Sequence, residues 1–203
     1  MKHTLSALAL SLILLSPAYA ADKVAYFAGG CFWCTEADFE KMDGVGDVIS
    51  GFMGGKKANP SYQDVAYGRT THREAVKVPY DDSKVSYQQL LSAFWRMHDP
   101  TDGTGSFVDR GRHYSSAIYY VDDTQKRLAE GAIAALEKSG KFQRPITTEV
   151  AKATGFYKAE EYHQDYYKKA ATKYKFYRFR SGRDQFITAN WKDDATVYQL
   201  AQR

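Results

Sequence analysis

The sequence predicts an α+β fold, a two-layer sandwich of one mixed β-sheet with helices packed on it. Three observations lead there. Short apolar or alternating runs such as VAYFA (Val24–Ala28) alternate with segments of helical periodicity such as Ser86–His98. Several connections between them are too short or irregular for a uniformly doubly wound sheet. The chain beyond residue 20 has a natural length for one domain and is long enough to bury a real core.

The first twenty residues stand apart from that fold. Lys2 and His3 open it with positive charge, Leu5–Leu15 is apolar, and Ala18-Tyr19-Ala20 has the small-residue pattern of a signal-peptidase site. The apolar run is too short for a bilayer span, which needs about 20 residues. Cleavage after Ala20 is expected, leaving residues 21–203 as a single exported domain, periplasmic in a Gram-negative cell and otherwise secreted. Ala28-Gly29-Gly30-Cys31 faintly resembles a lipoprotein acylation site, but polar, charged Ala21-Asp22-Lys23 separates it from the apolar run. No stable membrane anchor is expected.

Val24–Ala28 reads as a strand closed by Gly29-Gly30. Cys31–Met42 reads as a helix with Phe32, Phe39 and Met42 inward and Glu36, Asp38, Glu40 and Lys41 outward. Val45–Phe52 reads as a strand ending at Gly54-Gly55, followed by a turn-rich loop, Lys56–Arg73, and a strand, Glu74–Val78. In the helix Ser86–His98, Leu90, Leu91, Phe94 and Trp95 share a face, and Pro100 stops it. A Gly-rich loop, Thr101–His113, leads into a strand, Ser116–Val121. Asp122-Asp123 caps a helix, Thr124–Lys138, that ends at Gly140. Thr147–Ala151 reads as a strand and Ala159 to Tyr177 as a polar-aromatic helix; the tail beyond Gly182 carries no signal. The sum is a ferredoxin-like α/β roll with a helical C-terminal extension.

Charge excludes one class of function. The formal charge of +4 falls to +3 when Lys2 is removed, too little to argue for nucleic acid. Cysteine use is more informative. The only two are Cys31 and Cys34, in Cys31-Phe32-Trp33-Cys34. A bridge across so short a loop restrains the unfolded chain little, so the pair is chemical rather than structural. The five histidines show no zinc-ligand spacing beside it, so no metal is expected. Strand, Gly-Gly, then Cys31 opening a helix puts a thiol at free backbone N–H groups and the positive end of a dipole, which favours a thiolate. Cys34 follows one helical turn later on the same face, within disulfide reach. On these grounds alone a thioredoxin-like oxidoreductase fits equally well.

The surrounding residues distinguish the two. Gly30-Cys31-Phe32-Trp33 with Glu36 resembles the G-C-F-W-x-x-E signature of the A-type peptide methionine sulfoxide reductases. Asn59-Pro60-Ser61-Tyr62, Thr71-His72-Arg73-Glu74-Ala75-Val76, and Phe94-Trp95 with His98-Asp99-Pro100 are similar to later blocks of that family. Ser115–Tyr119, Ile146–Val150, and Phe156-Tyr157 with Ala159-Glu160 and His163-Gln164 continue the match in order, so it covers roughly Val24 to Tyr167.

The resemblance implies reduction of the S epimer of methionine sulfoxide, in proteins or free, with no bound cofactor. It implies Cys31 as nucleophile, Glu74 as proton donor with a pKa raised by burial, and Tyr62 and Tyr114 as hydroxyls for the sulfoxide oxygen. Phe32 and Trp33 then form an apolar wall for the S-methyl group, and Asp109 matches an acidic position near the site. An external thioredoxin-like dithiol would recycle a Cys31–Cys34 disulfide, and the enzyme would work as a monomer.

Two positions depart from the family pattern. Cys34 stands where the common motif has Gly, and no distant recycling cysteine exists, so Cys34 or an external thiol must resolve oxidised Cys31. His113-Tyr114-Ser115-Ser116 replaces the usual Gln-Tyr-Arg-Ser. Among the alternatives, a thioredoxin-like enzyme needs a cis-Pro loop, for which Val78-Pro79 is the one candidate. A non-catalytic methionine-binding protein is disfavoured by the presence of both Cys31 and Glu74.

Overall fold

The computed structural model describes residues 22–191. The expected signal peptide, residues 1–20, therefore lies outside the described residues. Alternation along β1 (Asp22–Ala28) sends Ala25 and Phe27 to one face of the sheet and Tyr26 and Ala28 to the other. The helix that follows, α1 (Phe32–Phe39), places Phe39 over Phe27, ring centroids 4.9 Å apart. β2 (Ile49–Met53), a one-and-a-half-turn helix α2 (Tyr62–Ala66) and β3 (Arg73–Asp81) come next. In β3, Val76 and Val78 join the Phe27 face while Ala75 joins Ala28. Glu74 shares the parity of the two valines, so the helix-covered face receives a carboxyl.

Helix α3 (Tyr87–Phe94) buries Leu90, Leu91 and Phe94 as its periodicity predicts, and Ser86 and Gln89 close a reciprocal capping box at its start. A small hairpin, β4 (Gly105–Ser106) and β5 (Asp109–Arg110), leads to β6 (Ala117–Tyr120). Helix α4 (Asp123–Lys138), capped by Asp122, carries the chain across to β7 (Glu149–Lys152), and β8 (Tyr157–Lys158) ends the sheet. The strand order is β7-β6-β1-β3-β2-β8. Only β6 and β7 run parallel, and α4 is the crossover that such a pair requires. The sheet is mixed and the fold is α+β, as expected. Phe27, Phe39, Phe94, Leu90 and Ile118 are wholly buried between sheet and helices. Each such side chain contributes about 1.5–3 kcal/mol.

Several element boundaries and faces differ from expectation. β2 starts at Ile49 rather than Val45, which makes only an isolated bridge to Tyr80. The loop after β2 contains α2, because Ser61 and Asp64 form a capping box. Glu36 and Asp38 face inward, both wholly buried. Glu36 accepts from Ser50 Oγ at 2.9 Å and from the Asp165 N–H at 2.9 Å, while Asp38 pairs with Arg178 at 2.8 Å. The segment expected as one helix from Ala159 to Tyr177 is broken. It contains a 3₁₀ turn at Glu161–His163, a left-handed Asp165 (φ 53°), then α5 (Tyr166–Lys169) and α6 (Ala171–Arg180). Gln164 explains the break, since its side chain bonds both the N–H and the C=O of Ser50 and ties the segment to β2. Beyond Gly182 the chain forms α7 (Arg183–Trp191), which packs back on the body through buried Arg183 and Trp191.

Candidate active site

Gly30 creates the site. It has φ +90°, and a Cβ there would lie 2.4 Å from the Cβ of Ser106, so only glycine makes this turn. The turn ends β1 and leaves Cys31 as the residue before α1, with no side-chain cap bond. The exposed end of the helix is satisfied from another element: the Phe32 N–H donates to Glu74 Oε2 at 3.0 Å. Nucleophile and carboxyl, 43 positions apart in the chain, are thereby fixed to the same helical start.

A cavity of about 190 Å³ opens here, lined by Cys31, Phe32, Trp33, Tyr62, Glu74, Asp109, Tyr114 and Tyr177. Every residue singled out from the sequence lines it except Cys34, which lies behind Cys31, wholly buried against Ala37 and Tyr174. Both cysteines are free thiols. A larger apolar groove of about 530 Å³ between α3 and α4 contains Leu91, Trp95, Leu128 and Trp191 but no cysteine or carboxylic acid.

Burial dominates the electrostatics. It pushes the Glu74 carboxyl up to about 8, against the opposing hydrogen bond from Phe32. Cys31 corrects an expectation: its thiol lies well above the ordinary range rather than below it. The cause is burial first, then the hydrogen bond with Cys34 and the nearby Glu74 and Asp109 carboxyls, which together outweigh the helix terminus. Cys34 is the lowered member, at about 7, because it accepts the Cys31 hydrogen bond and faces the Arg183 and Arg178 guanidinium groups. The two hydrogen-bonded thiols therefore lose their first proton as a pair. Burial also raises Tyr62 to about 12 and Tyr114 further, so both keep their hydroxyl protons, and Tyr114 hydrogen-bonds Tyr62.

The apolar wall is braced from behind. Trp33 donates through Nε1 to His163 Nδ1 at 3.1 Å and stacks on Tyr166 at 3.8 Å. Burial lowers His163 to about 4, so its ring is neutral and accepts. The same ring contacts Phe32 at 4.9 Å and Tyr62 at 4.4 Å. Asp109 accepts from the Tyr177 hydroxyl at 2.5 Å, and burial raises its carboxyl. Tyr177 and Arg183 have no local sequence signal, being one tyrosine among sixteen and one arginine in a basic tail. His163 lies in a block that resembles the family, and that resemblance implies no role for it.

The two departures also have structural accounts. At Ser115, the hydroxyl accepts from Arg73 Nε at 2.8 Å, and Arg73 continues to Glu149 at 2.5 Å, so a guanidinium from β3 lies where this loop lacks its own arginine. His113 packs on Tyr114 at 4.1 Å, and burial lowers its pKa, so it is a neutral ring at ordinary pH.

The family model for peptide methionine sulfoxide reductase matches residues 23–195. The peptide methionine sulfoxide reductase MsrA of Listeria monocytogenes is 49% identical over 168 residues, covering 83% of this chain and 95% of that one. That of Bacillus velezensis is 46% identical over 171 residues, 84% of this chain and 97% of that one. Among solved structures, methionine sulfoxide reductase A of Corynebacterium diphtheriae superposes with a TM-score of 0.66 at 32% identity, covering 76% of this chain and 77% of that one. Mxr1 of Saccharomyces cerevisiae in reduced form gives 0.67 at 32%, over 74% and 86%. The same yeast protein in complex with Trx2 gives 0.50 at 27%, over 76% and 91%. With a match that spans the sheet, the helical layer and the whole cavity, this chain belongs to the peptide methionine sulfoxide reductase family.

Proposed function

We propose that this reductase acts on the S epimer of methionine sulfoxide, exposed in proteins or free, through Cys31 with Glu74 as the acid. The observation that carries the reading is the placement of a buried Glu74 with a raised pKa and the Cys31 thiol in one small cavity with two tyrosine hydroxyls, Cys34 lying behind Cys31. A sulfoxide sulfur is a poor electrophile until its oxygen is protonated or strongly hydrogen-bonded. Tyr62 and Tyr114 offer the oxygen neutral donors, and Phe32 and Trp33 offer the S-methyl group an aromatic wall.

As Cys31 attacks sulfur, its proton passes across the hydrogen bond to the Cys34 thiolate, and Glu74 protonates the oxygen. The new bond between Cys31 and the substrate sulfur and the sulfoxide S–O bond then break as the hydroxyl passes to the Cys31 sulfur, so methionine leaves and Cys31 is a sulfenic acid; Cys34 is then a thiol and Glu74 a carboxylate. In the second step the Cys34 sulfur bonds Cys31, the sulfenic hydroxyl leaves as water, and a disulfide remains. An external thioredoxin-like dithiol then reduces the bridge and is itself oxidised. The Trx2 complex of yeast Mxr1 supports that class of donor. Asp109, tied to Tyr177, closes the polar rim. We assign the enzyme to the periplasm or exterior, on the strength of the residues 1–20 pattern.

Reduced enzyme given one equivalent of each epimer tests the chemistry. The S epimer is expected to yield one equivalent of methionine and, in non-reducing mass spectrometry, a Cys31–Cys34 bridge. Activity on insulin disulfides with neither epimer reduced would instead identify a thiol–disulfide oxidoreductase.

A further inference from the structure

Arg183 is the least expected residue in the molecule. Its side chain is wholly buried, yet among the described residues no carboxylate lies within ion-pair distance of it. Its Nη1 donates to the carbonyl oxygens of Gly29 and Met97, and its guanidinium lies over the Phe107 ring at 4.9 Å. Nε and Nη2 have no hydrogen-bond partner among the described residues. Nη2 points toward the Gly29–Cys31 turn, since a Cβ on Gly30 would lie 3.4 Å from it.

A buried cation without an anion costs several kcal/mol and is rarely retained without a compensating charge. The neighbouring basic group makes a useful contrast. Arg178 of α6 is buried too, but it is neutralised by Asp38 at 2.8 Å and reaches Asp184 at 2.9 Å. The groups with which Arg183 interacts most strongly are Cys34, Tyr177 and Cys31. Tyr177 keeps its proton and donates it to Asp109, so it is not the anion. Asp109 also feels the Arg183 charge, but it already accepts from Tyr177 and burial raises its carboxyl, which leaves the thiol pair beside the turn at which Nη2 is aimed. We propose that Arg183 is the counter-ion of the thiolate formed in the Cys31–Cys34 pair, and so a positioning residue that favours ionisation of that pair beside the Gly29–Cys31 turn.

This rests on the thiol-pair reading above, and it gives the C-terminal helix a part in the chemistry. α7 begins at Arg183, so docking of that helix delivers the charge to the back of α1. Other charges face the pair from several elements: Glu74 of β3 and Asp109 of β5 face Cys31, while Asp38 of α1 and Arg178 of α6 face Cys34. The carboxylates oppose ionisation, and Arg178 is already paired. Arg183 is the cation left to compensate them.

The test compares Arg183→Gln, which keeps hydrogen-bonding capacity for Gly29 without charge, with Arg183→Lys, which keeps the charge. The readouts are thiolate absorbance of the reduced enzyme against pH, and the pH profile of single-turnover methionine release. In Arg183→Gln the first thiol ionisation and the acidic limb of the profile should both move up by about one pH unit, a tenfold loss of thiolate below the midpoint. Arg183→Lys should restore most of the shift. If both variants titrate as the unmodified enzyme does, or if lysine rescues no better than glutamine, Arg183 only braces the Gly29-Gly30 turn and the proposal fails. Should Arg183→Gln not fold, Arg183→Met reads the same titration from a side chain that can lie on Phe107. The titration needs no substrate, so it stands apart from the resolving step. Lack of a Cys31–Cys34 bridge after turnover would overturn that step and leave the counter-ion result intact.

Discussion

Glu74 accepts a 3.0 Å hydrogen bond from the Phe32 N–H, the first helical N–H after Cys31. The bond alone would favour a carboxylate, and burial disfavours it more strongly, so the group titrates at about 8. The same contact sets where the acid stands relative to the nucleophile. It also sets the upper end of the working pH range.

Single-turnover methionine release should therefore follow a narrow bell. The rate rises as pH climbs through about 7, where the thiol pair loses its first proton, and falls through about 8 as Glu74 loses its own. Glu74→Gln can still accept from Phe32 but cannot donate a proton, so its rate should drop roughly 10²–10⁴-fold and the basic limb should vanish. Retention of full single-turnover rate in Glu74→Gln, with the basic limb intact, would show that another group supplies the proton.

Cys34→Ser removes both the partner in the first ionisation and the resolving thiol. Dithiol-driven steady-state turnover should fall at least about tenfold, and single turnover at neutral pH should slow. The single-turnover rate should stay low as pH rises, because Cys31 alone ionises against burial only above the range in which Glu74 still holds its proton. Stopped-flow mixing with one equivalent of substrate measures both; an unchanged steady-state rate would make Cys34 a bystander.

Two glycines should respond oppositely to the same substitution. Gly30→Ala meets Ser106 at 2.4 Å from a φ of +90°, which should cost about 2 kcal/mol or more and lower Tm by about 4–8 °C. Gly131, exposed on α4 with open space around it, should tolerate alanine with a gain of about 0.5–1 kcal/mol. Thermal unfolding of the two variants decides it.

Glu36 makes a pH prediction for stability. Burial raises its carboxyl from the ordinary 4.5 to about 7. A raised carboxyl stabilises the fold below its unfolded pKa, and that contribution is lost as pH rises toward 7. Glu36→Gln keeps a partner for Ser50 or Asp165 without the charge, so its stability relative to the unmodified protein should improve by about 1–2 kcal/mol between pH 4.5 and pH 8, allowing for solvent screening. Urea unfolding at the two pH values measures it; a pH-independent difference would place the titration elsewhere.

Much of this molecule is determined locally. Strand alternation in Val24–Ala28, helical periodicity in α3 and the cap at Asp122 are short-range, so the α+β class and the order of elements are legible in the sequence. The Gly30-Cys31 turn is legible too, because a strand running through Gly-Gly into a helix has few other solutions. Recognition of the ordered blocks extended this to Glu74, Tyr62, Tyr114 and Asp109, all of which line the cavity.

Charge and burial were decided by tertiary packing. Glu36 and Asp38 read as an outward face until Ser50, Asp165 and Arg178, from distant parts of the chain, gave them partners inside. The helix terminus by itself argued for a low Cys31 pKa. Burial beside two carboxyls reversed the direction, while the hydrogen bond with Cys31 and the guanidinium groups of Arg183 and Arg178 lower Cys34. A pKa depends on desolvation and on every nearby charge, and neither can be computed from spacing along the chain. Spacing along the chain shows which thiol opens the helix; the buried carboxyls and guanidinium groups that shift the two thiols come from distant elements and exist only in the fold.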